Sequence, residues 1–229
     1  MSLQGRHAAV TGAGSGIGRA TAERLAEAGC QITLIGRHLG RLTESADRIG
    51  DAAFVAPADV TDPDALAAAI EVGRDRFGPI DILINNAGAA SSAPFLKTSA
   101  ADLRAMLALN LEAPAEAMRL VLPGMLTRRW GRIVNVASTA GLKGYAYVSA
   151  YVAAKHGLVG LTRAVALEVA AIPGKTGRTE DEARAALAAS NPQGRLITPD
   201  EVAQTIVWLC GDGASGVNGV AVPVAGGEL

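Results

Sequence analysis

A chain of 229 residues, 49% hydrophobic and with 27 glycines, can bury a sizeable core and sits near the upper size of a single domain. Its formal net charge is −1 and no basic stretch stands out, which argues against a nucleic-acid partner. Mean hydropathy is +0.25, yet no run approaches the roughly 18 apolar residues of a membrane span, and the N-terminus has no signal-peptide layout.

Cys30 and Cys210 stand in apolar surroundings and read as buried thiols of a reducing compartment. His7, His38 and His156 show no metal-ligand spacing. The expectation is a cytoplasmic protein, with no membrane partner and no structural metal. Arg128, Arg129 and Arg132 are the densest cationic spot and read first as a solvated helix end.

Taken in order, strands alternate with helices. His7 to Val10 is a short apolar strand. Thr11-Gly12-Ala13-Gly14-Ser15-Gly16-Ile17-Gly18 follows, then an amphipathic helix from about Ile17 to Ala28. A glycine turn between strand and helix suits a pyrophosphate: the backbone can approach closely, and the helix N-terminus offers free N–H groups and the positive end of its dipole. The alternative is a tight connection and nothing more. Gln31 to Ile35 reads as the second strand. An acid at its end would accept from the ribose hydroxyls of NAD. Here Gly36 is followed by Arg37, with Arg41 one turn on, and a guanidinium binds a 2′-phosphate bidentately. NADP(H) is therefore favoured over NAD(H), the competing reading being an exposed loop charge.

Leu39 to Ile49 is helical by pattern. Ala53 to Ala56 is a strand leading to Asp59-Val60, where Asp59 either accepts from an adenine amine or caps the next helix. Asp62 fits the cap better, with Pro63 behind it. That helix runs to about Phe77 and breaks at Gly78-Pro79. Ile80 to Ile84 is the fourth strand, ending in Asn85-Asn86-Ala87-Gly88, a turn suited to exposing backbone to a ligand. Ser99 to Leu126 is helical, with Asn110 in its middle and Pro114 soon after. A kink there would free carbonyls and a side-chain amide to hold a water; the alternative is an Asn packed on a neighbouring turn.

Arg132 to Ala137 is a fifth strand, followed by Ser138 and a glycine-containing loop. Tyr151 and Lys155, four apart, share one face of the next helix. A phenol titrates near pH 10, and a fixed ammonium nearby stabilises its anion. Ser138, Tyr151 and Lys155 thus suggest proton transfer to or from an oxygen held by a second donor; a core Tyr beside a solvated Lys is the plainer alternative. The helix from Tyr151 to about Val169 is apolar on more than one face, so it needs cover on both sides and is expected in a subunit interface.

The glycine turn, Asn85-Asn86-Ala87-Gly88, Asn110, Ser138 and Tyr151-Val152-Ala153-Ala154-Lys155 together resemble the short-chain dehydrogenase/reductase family, in its short single-domain branch. Ser138 and Tyr151 stand thirteen apart, as that family's pattern asks. The match runs from residue 5 to about 169 and resumes near Asn191, through Pro199-Asp200-Glu201-Val202-Ala203 to the closing Val222–Gly227. The resemblance implies an α/β doubly wound parallel sheet of Rossmann type, one domain over 1–229. It implies that Tyr151 is the acid for ketone reduction and the base for alcohol oxidation. Lys155 would lower the phenol's pKa and hold the nicotinamide ribose, and Ser138 would bond the substrate oxygen. Asn110 would hold a relay water. Gly12, Ser15, Gly16, Ile17, Gly18, Arg37, Asp59, Val60, Asn86, Ala87, Gly88, Tyr151 and Lys155 would line the cofactor, with Asp59 and Val60 flanking adenine.

Two departures follow. Between Val169 and the polar helix near Thr179–Ala189 there is no strand-like run, whereas the family has a sixth strand, a Pro-Gly and a substrate lid. Pro173-Gly174 has no strand leading up to it. The expectation is that the sequence joins two pieces between about 169 and 172 and omits a strand and lid, a true deletion being the alternative. The last strand, Val220 to Val224, would then lack its neighbour. The implied activity is reduction of a ketone by NADP(H) in a homotetramer. The tail from Asn191 points to 3-oxoacyl thioesters on acyl carrier protein or coenzyme A, whose phosphates Arg128 and Arg129 could meet. A sugar, polyol or cyclic alcohol dehydrogenase is the alternative within the class, and a non-catalytic cofactor-binding sensor or scaffold the alternative outside it.

Overall fold

The computed structural model describes residues 3–170 and 198–224. Five parallel strands carry the core: β1 (His7–Thr11), β2 (Gln31–Gly36), β3 (Ala53–Pro57), β4 (Ile82–Asn85) and β5 (Arg132–Asn135), in the order β3-β2-β1-β4-β5. Between and after them come α1 (Gly16–Glu27), α2 (Leu39–Ile49), α3 (Pro63–Phe77), α4 (Ala100–Leu107), α5 (Ala113–Arg128), α6 (Ser149–Ala170) and α7 (Pro199–Cys210). The chain builds outward from β1 in one direction through β2 and β3, then in the other through β4 and β5. The crevice outside the strand ends at that reversal is where such sheets bind ligands.

Strand side chains alternate between two cores. Ala9, Ile35 and Leu83 face α3 and α5, with Leu66, Ile70 and Val121. Ala8, Val10, Ile32, Leu34, Ile82 and Ile84 face the other side, where Ala22, Leu25, Leu42 and Ile206 pack. Because both faces are covered, the strands read as continuous apolar runs rather than alternating ones. Asp62 caps α3 as expected, accepting from the Asp64 and Ala65 N–H groups at 3.0 and 3.2 Å, with Pro63 beginning the helix.

The expected kink near Asn110 is a π-helical turn, Ala108–Glu112, joining α4 to α5. Pro114 has no N–H to direct at the Asn110 carbonyl, so an α-helical bond cannot form there. The extra residue of the π turn rotates Asn110 into a fully buried position.

The expected strand at Val220–Val224 is corrected. Those residues form no strand, and among the described residues β5 pairs with β4 alone. A parallel strand needs a ladder to join, and the sixth strand that would carry one has no counterpart in the described chain. In its place runs a groove of about 790 Å³ along the outer edge of β5, bounded by α6, α7 and residues 220–224. β4 is wholly buried, whereas every residue of β5 is half-buried. The expected junction at 169–172 begins at the end of α6; residues 171–197, including the helix expected near 179–189, lie outside the described residues.

Arg128 and Arg129, expected to meet a carrier's phosphates, stand at the end of α5, and Arg129 lines the groove beside β5. Arg128 Nη2 donates to the Ile80 carbonyl at 2.7 Å and lies 3.5 Å from Asp81 Oδ1. Arg129 ends α5 in a left-handed conformation, φ 53°. Both stand where β4 and β5 begin, at the opposite end of the sheet from the glycine turn.

Candidate active site

The glycine turn is built by contact as well as by conformation. Gly12 has φ +67°, and a Cβ there would come within 2.8 Å of Asn86 Nδ2 and 2.9 Å of Ala87 Cα. Gly18 lies against the Gly12 carbonyl, again with no room for a side chain. Gly16 has φ +53° but faces open space, so its left-handed backbone shapes the turn without filling it. Ser15 precedes α1 in extended conformation and its side chain makes no capping bond. The first N–H groups of α1 are thus left for an anion.

Asn86 and Thr11 pin this turn to β4. Asn86 Nδ2 donates to the Thr11 and Gly12 carbonyls at 3.0 and 3.3 Å. Thr11 Oγ1 accepts from the Asn86 and Ala87 N–H groups, both at 3.0 Å, and donates to the Ile84 carbonyl. Asn86 was expected to line the cofactor alongside Ala87 and Gly88. Its amide is committed to the turn, and Ala87 and Gly88 line the cavity.

That cavity, about 150 Å³, sits over the ends of β1, β2 and β3. Gly12, Ser15, Arg37, Asp59, Val60, Ala87 and Gly88 of the expected set line it; Gly16 and Gly18 shape the turn behind, and Ile17 lines the β5 groove together with Ser138 and Tyr151. His38 and Arg41 line the cavity as well, and only the second had a signal in the sequence. Arg37 reaches over the strand end with 63% of its side chain exposed, 3.7 Å from Asp59 Oδ2. The Asp59 carboxyl is held below the ordinary carboxylate range, chiefly by the Thr61 N–H it accepts from, then by the Thr61 hydroxyl and Arg37.

A second cluster lies at the ends of β4 and β5. Lys155 is 4% exposed; its Nζ donates to the Val136 carbonyl at 2.8 Å and lies 5.7 Å from the centre of the Tyr151 ring. Phenol ring and amine therefore share one side of α6. Burial pushes the Lys155 amine down to about 8. Asn110 Nδ2 donates to the Ala89 and Met106 carbonyls at 3.0 and 3.1 Å, while its Oδ1 is buried with no partner. A Cβ on Gly88 would be 2.8 Å from that Oδ1 and 3.6 Å from Lys155 Nζ. The two groups thus converge on the spot that glycine leaves open, and a buried unpaired acceptor facing a buried amine fits a water or a ligand hydroxyl. Ser138 follows β5, its Oγ accepting from the Ala140 N–H at 3.1 Å. Ser138 and Tyr151 line the same end of the β5 groove.

A glycine turn at the reversal of a doubly wound sheet, a cationic rim beyond β2 and a phenol–amine pair beside them define a dinucleotide-dependent enzyme site. Residues 6–172 match the family described as short chain dehydrogenase. The chain is 35% identical to the 3-oxoacyl-acyl-carrier-protein reductase FabG of Vibrio cholerae, over 99% of this chain and 98% of that protein. It is 37% identical to the cyclohexanol dehydrogenase of an Acinetobacter species, over 96% of this chain and 93% of that protein. A solved variant of actinorhodin polyketide ketoreductase with NADPH superposes with a TM-score of 0.87 at 31% identity, covering 99% of this chain and 98% of that one. The chain belongs to the short-chain dehydrogenase family. It is accordingly an NAD(P)-dependent oxidoreductase of ketone and CH–OH groups.

Proposed function

We propose that the chain is an NADP(H)-dependent ketone reductase whose preferred substrates are 3-oxoacyl thioesters, carried on acyl carrier protein or coenzyme A. The observation that carries this reading is the convergence of the buried Lys155 amine, the Tyr151 ring and the unpartnered Asn110 Oδ1 over Gly88. When bound, the nicotinamide supplies the hydride. Tyr151 gives its phenolic proton to the carbonyl oxygen as negative charge develops there. Ser138 Oγ donates a second hydrogen bond to the same oxygen. The Lys155 ammonium stabilises the phenolate left behind and orients the ribose, and Asn110 Oδ1 seats the water from which Tyr151 is reprotonated. The chain's groups toward the cofactor fit: an uncapped α1 N-terminus for pyrophosphate and Arg37 with Arg41 for a 2′-phosphate.

Rates with a panel of 3-oxoacyl thioesters, cyclohexanones and ketoses, each with NADPH and with NADH, test this. Thioesters with NADPH are expected to lead, and Arg37→Ala to raise the KM for NADPH about tenfold with little change for NADH. Equal or better wild-type rates with NADH overturn the cofactor preference. The similarity to cyclohexanol dehydrogenase favours a second reading, oxidation of a cyclic alcohol, and a lead by cyclohexanones would select it. A homotetramer in the cytoplasm is part of the proposal. It is supported by the exposed Leu167 on α6, and no helix among the described residues is long and apolar enough to cross a membrane.

We also infer that a strand and lid are missing between about 169 and 172. Alignments with relatives extend over 233 to 250 positions against this chain's 229 residues. The family match stops at residue 172, and the groove beside β5 lies where one more strand would pair. Sequencing the gene across these codons is expected to reveal coding sequence for an apolar strand. An uninterrupted reading identical to this chain would make it a true deletion.

A further inference from the structure

The residue after the glycine turn, Arg19, has no part in the phosphate cradle as such, yet it makes more hydrogen bonds than its neighbours. From α1 its Nη2 donates to the Gly14 carbonyl at 2.6 Å, to the Arg41 carbonyl at 3.4 Å and to Glu44 Oε2 at 3.0 Å. Its Nε donates to Ser45 Oγ at 3.0 Å. Ser45 is fully buried, and its own hydroxyl lies 2.9 Å from the Ala13 carbonyl and 3.0 Å from the Arg41 carbonyl. One planar guanidinium thus joins the glycine turn, directly at Gly14 and through the Ser45 hydroxyl at Ala13, to the first two turns of α2. Gly14 permits the close approach: a Cβ there would come within 3.0 Å of Arg41 Cβ. Arg37 and His38 lead directly into α2, and Arg41 lies in its first turn.

We propose that Arg19 is a positioning residue for the cofactor, locking the glycine turn to α2 so that the pyrophosphate cradle and the Arg37–Arg41 rim form one preformed surface. This rests on the NADP(H) reading above. A flexible turn would have to be ordered at each binding event, and that ordering weakens affinity. A rim free to move relative to the turn would also lose its grip on a 2′-phosphate held at fixed distance from the pyrophosphate. The guanidinium's rigid fork supplies the several donors at once, whereas an ammonium is a single point charge.

The test is NADPH and NADH titration by fluorescence, with steady-state kinetics, on the whole chain carrying Arg19→Met, Arg19→Lys or Ser45→Ala. Hydrogen bonds to a charged group are strong enough that Arg19→Met is expected to weaken NADPH about tenfold. NADH should weaken less, so that the preference between the two narrows. The KM for NADPH should rise far more than kcat falls, with the ketone KM close to wild type. Arg19→Lys should recover part of the loss, since it can reach one carbonyl but not span the set. Unchanged NADPH affinity in a folded Arg19→Met protein overturns the proposal, as does equal weakening of both cofactors. If Arg19→Met does not fold, Ser45→Ala decides on the same criteria, because it removes only the hydroxyl between Arg19 and Ala13. A wild-type chain that binds neither cofactor would sink the functional reading itself, whereas tight wild-type binding untouched by these substitutions sinks only the role of Arg19.

Discussion

Tyr151→Phe is expected to lower turnover by about a thousandfold while NADPH binds nearly as it does to the wild type. The substitution removes one hydroxyl and leaves the ring on α6, 5.7 Å from the Lys155 amine, so packing and the cofactor cavity are preserved. What disappears is the group that can pass a proton to a carbonyl oxygen as charge develops on it. Ser138→Ala should cost less, about a hundredfold, because it deletes a hydrogen bond to that oxygen and not the proton source. Stopped-flow reduction and equilibrium titration separate the two effects. Retained turnover in Tyr151→Phe would place the proton donor elsewhere. Equal losses of turnover and binding would make the phenol a cofactor contact. A wild-type chain that binds NADPH and reduces nothing would favour a sensor, and the open flank of β5 beside Ser138 is the feature such a reading would rest on.

That flank also marks where sequence reasoning reached its limit. Strand, glycine turn and helix were legible because each local signal agreed with the fold around it: Asp62 with Pro63, Gly29 after α1, apolar runs on β1, β2 and β4. Asn110 was legible because an amide in a helix interior conflicts with local preference, and the π turn resolves that conflict. Val220–Val224 failed for a different reason. Its residues favour a strand, but a strand exists only with a partner, and no local pattern in 220–224 records whether that partner is there. Arg19 and Ser45 left no trace because a solvent-facing Arg and a helical Ser look alike whether or not they meet. Their meeting depends on how α1 and α2 pack, and no periodicity records that. The commitment of Asn86 to the turn was hidden in the same way, since its amide acts across the gap between β1 and β4.

Lys155→Met should abolish most turnover and at the same time stabilise the empty protein. The Lys155 amine titrates at about 8 in the fold against an ordinary value of 10.5, and burial is the cause. Below about pH 8 the amine is charged in both folded and unfolded chains, and the fold bears the full desolvation penalty. Between about 8 and 10.5 the folded amine is neutral while the unfolded one still holds its proton, so wild-type stability rises with pH across that window. Above it, Lys155 contributes no pH dependence. The gain from Lys155→Met is therefore largest at neutral pH and fades as pH rises. It is on the order of 1–3 kcal/mol, after allowing for the lost bond to the Val136 carbonyl. Urea midpoints for both proteins at pH 7, 8, 9 and 10 read this directly. A less stable Lys155→Met at pH 7, or two parallel profiles, would mean the buried amine is already compensated in the empty site. On the proposed mechanism, a charged group kept buried at a cost to the fold gains its compensation when ribose and water bind beside it and the Tyr151 phenol ionises.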